Sequence, residues 1–158
     1  MSDLISIPPE DASPGNSVVT AGPFWPDIDI NDFRESFRVA GPEITHARLV
    51  LALRGALLSL RSETIEWKAA QVAAGYATLA AIPADEIDGE SVNIHLYRRA
   101  IYAFAAADLL ENHRDTTATG AGLGRIEESQ PTAGDHKRNA THAIRDLKGK
   151  RRVKSALI

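Results

Sequence analysis

Pro83 and the acidic turn after it divide the chain and set the start of its most apolar segment. Residues 79–111 read LAAIPADEIDGESVNIHLYRRAIYAFAAADLLE. The proline ring fixes φ and pushes Ile82 out of the helical region, so whatever precedes Pro83 stops there. Asp85, Glu86, Asp88 and Glu90 then crowd ahead of an apolar run. Asp88 reads as an N-cap, with Glu90 in the first turn at the positive end of the helix dipole. From Val92 onward, Ile94, Tyr97, Ile101 and Phe104 recur at helical spacing, and Leu96, Ala100, Ala103, Ala107 and Leu110 form an adjoining row. A helix apolar around most of its circumference has neighbours on several sides, and its alanines let them come close. This predicts the hub of a small all-α bundle.

The other expected helices follow from caps and breakers. Asp29 caps a short helix near 30–39 carrying Phe33 and Phe37 one turn apart. Gly41-Pro42 opens a long helix near 43–74, whose pattern Ile44, Ala47, Leu51, Leu58, Ile65, Ala69 and Val72 is helical. Unbroken, it would run about 48 Å at ~1.5 Å per residue, with Gly55 and Ser59 to Ser62 as weak points. Gly75 closes it. The hub spans about 89–114, and a last helix about 129–148 starts near Ser129 or afresh at Asp135. The bundle domain is then 23–148, between an irregular arm (1–22) and a short, extended, basic tail (149–158).

Composition narrows the function. Among 158 residues there is no cysteine, which excludes disulfides, thiolate metal sites and cysteine nucleophiles. A net charge of −3 argues against a general polyanion binder. No apolar run reaches the ~18 residues of a membrane span, and the N-terminus lacks the pattern of a secretory signal. The expectation is a protein of a cytosol-like compartment with no membrane partner. The histidines at 46, 95, 113, 136 and 142 make no HExxH pair and no convincing ligand cluster. The acidic turn lacks calcium-loop spacing, G-x-S-x-G is absent, and GAGLG at 120–124 has no preceding strand for a dinucleotide fingerprint. No enzyme, metal or cofactor is expected.

Three features point to contacts instead. In Pro23-Phe24-Trp25-Pro26-Asp27 two prolines stiffen the loop, so Phe24 and Trp25 either anchor a neighbouring subunit or pack on their own bundle. Arg54, Arg61 and Lys68 recur every seven residues, as a solvated face or as a stripe facing an acidic partner or passing DNA. The segment 137–154 holds close to half of the 18 Lys and Arg, including Lys150, Arg151 and Arg152, and ends in Leu157 and Ile158. That tail fits three readings: a cation-rich helix end, a dock for an acidic protein surface or a neighbouring chain, or a nucleic-acid contact. No aromatic residue interleaves with the charges, so base stacking has no support.

Two stretches carry a family resemblance. Phe24-Trp25-Pro26-Asp27-Ile28-Asp29, and above all Ala81-Ile82-Pro83-Ala84-Asp85-Glu86-Ile87-Asp88-Gly89-Glu90-Ser91, resemble the head completion (head stabilisation) proteins of contractile-tailed temperate phages of the peduovirus type. The likeness covers about Pro23 to Arg114 and fades over 116–134. It implies a structural virion protein, an adaptor ring under the portal that closes the DNA-filled head and prepares it for tail joining. The implied partners are the portal protein, neighbouring copies, a tail terminator or neck protein, and packaged DNA by non-specific contact. The implied location is the head–tail junction, reached from the host cytoplasm during assembly. The alternative is a nucleic-acid-binding regulator that uses the basic C-terminal segment.

Overall fold

The computed structural model describes residues 13–37, 44–117 and 131–150, with backbone alone for 113–117. The architecture is mostly helical, with two very small hairpins. In order come β1 (Val18–Val19), β2 (Ile28–Asp29), α1 (Ile30–Ser36), α2 (His46–Ala73), a 3₁₀ turn (Leu79–Ala81), β3 (Glu86–Ile87), β4 (Glu90–Ser91), α3 (Val92–Thr117) and α4 (Ala133–Leu147). Helix α3 is the hub: it packs on both α2 and α4. Ala100, Ala103, Ala105, Ala106 and Ala107 are all buried, so the neighbouring backbones approach closely, as the alanine-rich sequence predicts. No helix among the described residues is long and apolar enough to cross a membrane.

The helix ends follow cap chemistry. Asp29 accepts hydrogen bonds from the Asn31 and Asp32 amides at 2.7 and 3.1 Å and starts α1 as expected. Helix α2 begins later than expected, at His46 on the N-cap Thr45, and the region 41–43 lies outside the described residues. It runs unbroken through Gly55 and the Ser59–Ser62 stretch for 28 residues, about 42 Å. It ends as a Schellman motif: Gly75, at φ +98°, donates to Val72 O (3.0 Å) and Tyr76 to Gln71 O (3.1 Å). Helix α4 starts at Ala133 on a capping box between Thr132 and Asp135, between the two expected starts. Its end repeats the Schellman pattern, Gly149 donating to Asp146 O and Lys150 to Arg145 O at 3.0 and 2.9 Å.

One expectation is corrected here. Asp88 is no N-cap. It sits at φ +54° beside Gly89 at φ +76°, the two-residue turn of the β3–β4 hairpin, in which Glu86 pairs with Ser91 and Ile87 with Glu90. Asp-Gly is the residue pair that such a turn demands, because both positions need positive φ. Glu90 is therefore a strand residue, and the Asn93 amide donates to the Ser91 hydroxyl at the start of α3.

The helical pattern of α2 did not say which face is buried, and the structure does. Its core residues are Leu49, Ala52, Leu53, Ala56, Leu57, Leu60 and Thr64, whereas Ala47, Leu51, Leu58, Ile65, Ala69 and Val72 are exposed. Apolar residues stand on both sides of this helix, so periodicity alone could not choose between them. Leu53 and Leu60, fully buried, each contribute ~1.5–3 kcal/mol of apolar transfer. The Thr64 hydroxyl is reconciled with burial by donating to Leu60 O at 2.7 Å.

Candidate interaction surface

The proline-stiffened loop turns inward. Phe24 and Trp25 are each 3% exposed, so the neighbour-anchor reading is corrected: both rings belong to this chain's own core. Trp25 stacks between Tyr97 and Trp67, with centroids at 5.2 and 6.3 Å, and Phe24 meets Trp25 edge-on at 4.8 Å. The Tyr97 hydroxyl donates to Pro26 O at 2.8 Å, and Leu79 N–H donates to Phe24 O at 2.9 Å, pinning the loop from both sides. Burial pushes the Tyr97 phenol above its ordinary range, so it stays a neutral donor. Asp27 is exposed and accepts the Ala21 amide at 3.0 Å, which makes it a turn former. Residues 13–21, expected in the irregular arm, lie on the same bundle: Ser13, Val19 and Ala21 are buried, and β1 pairs antiparallel with β2.

The basic stripe divides by task. Arg61 donates to Ala21 O, where Gly22 turns at φ +80° and an added Cβ would meet the guanidinium at 3.4 Å. Lys68 lies over the Phe24 ring, 5.3 Å from its centroid, a cation–π contact. Both clamp the aromatic loop. Arg54 and Arg61 are both exposed, and Arg54 lies along a shallow groove between β1 and α2 that Val18, Thr20, His46, Val50 and Leu58 also line.

The hairpin is tied to the hub. Glu90 takes a two-pronged ion pair from Arg98 at 2.8 and 3.0 Å, and His95 Nε2 lies 3.0 Å from Ile87 O. The Arg98 hydrogen bonds hold the Glu90 carboxyl below its usual range, outweighing the opposing effect of burial. Ile87 remains 53% exposed. One turn further along the same face of α3, Tyr102 donates to the Asp32 carboxylate, joining α1 to the hub. Burial, then that bond, push its phenol well above the ordinary range. Helix α4 is fastened by Lys137 to Glu111 at 2.7 Å and by Lys148 to Glu63 O at 2.7 Å.

No group of three or more His, Asp or Glu among the described residues could hold a metal ion. The side-chain contacts named above, all among the described residues, are clamps and caps. At the C-terminal end, Lys150 is exposed beyond the cap of α4, while Arg151, Arg152, Leu157 and Ile158 lie outside the described residues. The feature that the helical pattern left without an assigned side is the outer face of α2. Its signal was present as Leu51, Leu58, Ile65 and Val72 at seven-residue spacing. That spacing marks a helix-pairing seam as readily as a core.

The comparisons with known proteins agree with one another. The sequence model described as phage head completion protein (GPL) matches residues 19–158. The head completion/stabilization protein of Escherichia phage P2 is 34% identical over 129 residues, which cover 82% of this chain and 76% of that protein. The probable head completion/stabilization protein of Haemophilus phage HP1 is 30% identical over 145 residues, 87% of this chain and 89% of that protein. No solved structure matches.

Proposed function

This chain belongs to the phage head completion protein family, and on that premise we propose that it forms an adaptor ring beneath the portal of a DNA-filled head. There it closes the head against leakage and presents the surface that the tail joins. It is a structural head completion protein, a component of the virion, in a family not known for enzymes. The observation that carries the reading is the family match across residues 19–158, nearly the whole chain.

In this reading the partners are the portal protein, neighbouring copies, and a tail terminator or neck protein, with non-specific contact to packaged DNA. With Phe24, Trp25, Arg61 and Lys68 committed to the interior and its clamps, the surfaces left for partners are different ones. They are the outer face of α2 with Arg54, the tip of the β3–β4 hairpin, and the basic residues from Lys150 onward. The subunit is made in the host cytoplasm and takes its place at the head–tail junction.

Deleting the gene from a prophage and imaging the lysate tests this. Emptied or tailless heads are expected, restored by the gene supplied in trans. Filled heads with attached tails at normal yield would overturn the reading.

A further inference from the structure

Along the outer face of α2, Leu51, Leu58, Ile65 and Val72 are 69%, 68%, 69% and 50% exposed. Gly55, Ser62 and Ala69 are exposed between them. Together they fall four and three residues apart in alternation, the spacing of a coiled-coil seam, with a large residue at every first position and a small one at every second. A methyl group placed on Gly55 would meet nothing within 4 Å, so the small positions are open holes. The seam spans about 32 Å at ~1.5 Å per residue. The other large exposed apolar residues among those described, Val18 and Ile87, lie off this helix.

From this pattern we infer that the occupant of the seam is the same seam of a second copy, the two α2 helices running antiparallel about a two-fold axis. In an antiparallel pair each layer joins a first-position residue of one helix to a second-position residue of the other, so large meets small throughout. Ser62 faces Ile65 of the second copy, Leu58 faces Ala69, and Gly55 faces Val72. In a parallel pair large meets large and small meets small, leaving a void at every small layer, which close-packed interfaces avoid.

Charge points weakly the other way. A parallel pair would set Arg61 near Glu66 of the second copy, and an antiparallel one sets Arg61 toward Lys68. Exposed ion pairs contribute little, however, and Arg61 and Lys68 are already drawn back onto Ala21 and Phe24. Packing decides the direction. The four large residues expose on the order of 500 Å² per copy, hence roughly 1,000 Å² for the pair, the lower bound of a specific interface. A two-fold contact closes on itself and leaves the remaining faces of the subunit for ring neighbours. The inference therefore concerns the free protein and does not depend on the ring.

The absence of cysteine makes the test direct. Analytical ultracentrifugation of the full chain should show a dimer at micromolar concentration. Ile65→Glu should weaken it by at least ~100-fold, since the carboxylate would be buried against Ser62 of the second copy. The helical circular dichroism and melting temperature should not change, because Ile65 touches solvent in the monomer. The double variant Leu58→Cys with Ala69→Cys should oxidise to a covalent dimer, while Leu58→Cys alone, about 16 Å from its own copy along the axis at ~1.5 Å per residue, should not. A monomer at all concentrations, a dimer indifferent to Ile65→Glu, or efficient cross-linking through Leu58→Cys alone would each overturn the inference, the last in favour of a parallel pair. Loss of tail joining in deletion lysates bears on the ring alone, so the two ideas fail separately.

Discussion

Trp25 lies flat on Tyr97, their ring planes 11° apart, while the Tyr97 hydroxyl bonds the carbonyl of Pro26. One residue of the hub thus holds the aromatic loop by its face and by its edge. The prolines on either side of Phe24 and Trp25 stiffen the loop, and Tyr97, Trp67 and Lys68 supply the pocket into which it is pressed. A loop that looks like a finger is a plug.

Trp25→Ala should therefore unfold the subunit more easily, not merely impair assembly. Removing a buried large aromatic costs about 3–5 kcal/mol. Trp25→Phe should cost less, because the indole Nε1 finds no hydrogen-bond partner among the described residues and nothing polar is orphaned by its loss. Urea unfolding of both variants checks this. An unchanged midpoint for Trp25→Ala would return the residue to the surface.

The β3–β4 turn predicts a different asymmetry. Gly89→Val should cost ~1–2 kcal/mol, because a β-branched residue at positive φ is strained even where space is free. Asp88→Asn should be nearly neutral, since asparagine suits the same turn. Were Asp88 a helix cap, Gly89→Val would instead be mild. Denaturant titration of the Gly89→Val variant separates the two.

Cutting the chain after Lys150 should leave its stability unchanged within ~0.5 kcal/mol, the range of surface changes. The Lys150 amide completes the end of α4 and Lys148 still reaches Glu63 O. In the ring reading the same cut removes Arg151, Arg152, Leu157 and Ile158 and lowers incorporation into particles. Thermal melting and particle composition read the two effects independently.

Acid should loosen the fold in two steps. Burial holds the His136 pKa below the ordinary histidine value of 6.5, so the unfolded chain binds the proton more readily. Stability present above 6.5 is then lost as pH falls through the lowered folded value. The carboxyls of Glu90 and Asp135, held down chiefly by the Arg98 and Thr132 hydrogen bonds, add a second loss below the ordinary carboxyl values of 4.5 and 3.8. His136→Gln should remove the first step and leave the second. Melting temperatures from pH 7 to 3 would show it.

What the sequence determined by itself was whatever depends on neighbours along the chain. The stop at Pro83, the Asp29 cap, the Gly75 terminus, the apolar hub from Val92 and the signature around Asp-Gly-Glu-Ser are local facts, and they carried both the helical fold and the family. The Asp88-Gly89 turn was equally local but was read as a helix start, because a run of carboxylates before an apolar segment suits both. Tertiary structure alone decided which side of α2 faces inward and where the aromatic loop goes. Leu53 and Leu58 are alike in composition and propensity; one is buried because α3 and its alanines lie against it, the other exposed because none of the described elements does. Burial is a property of what arrives from elsewhere in the sequence, and a helix with apolar residues on two faces holds no record of which face will be met.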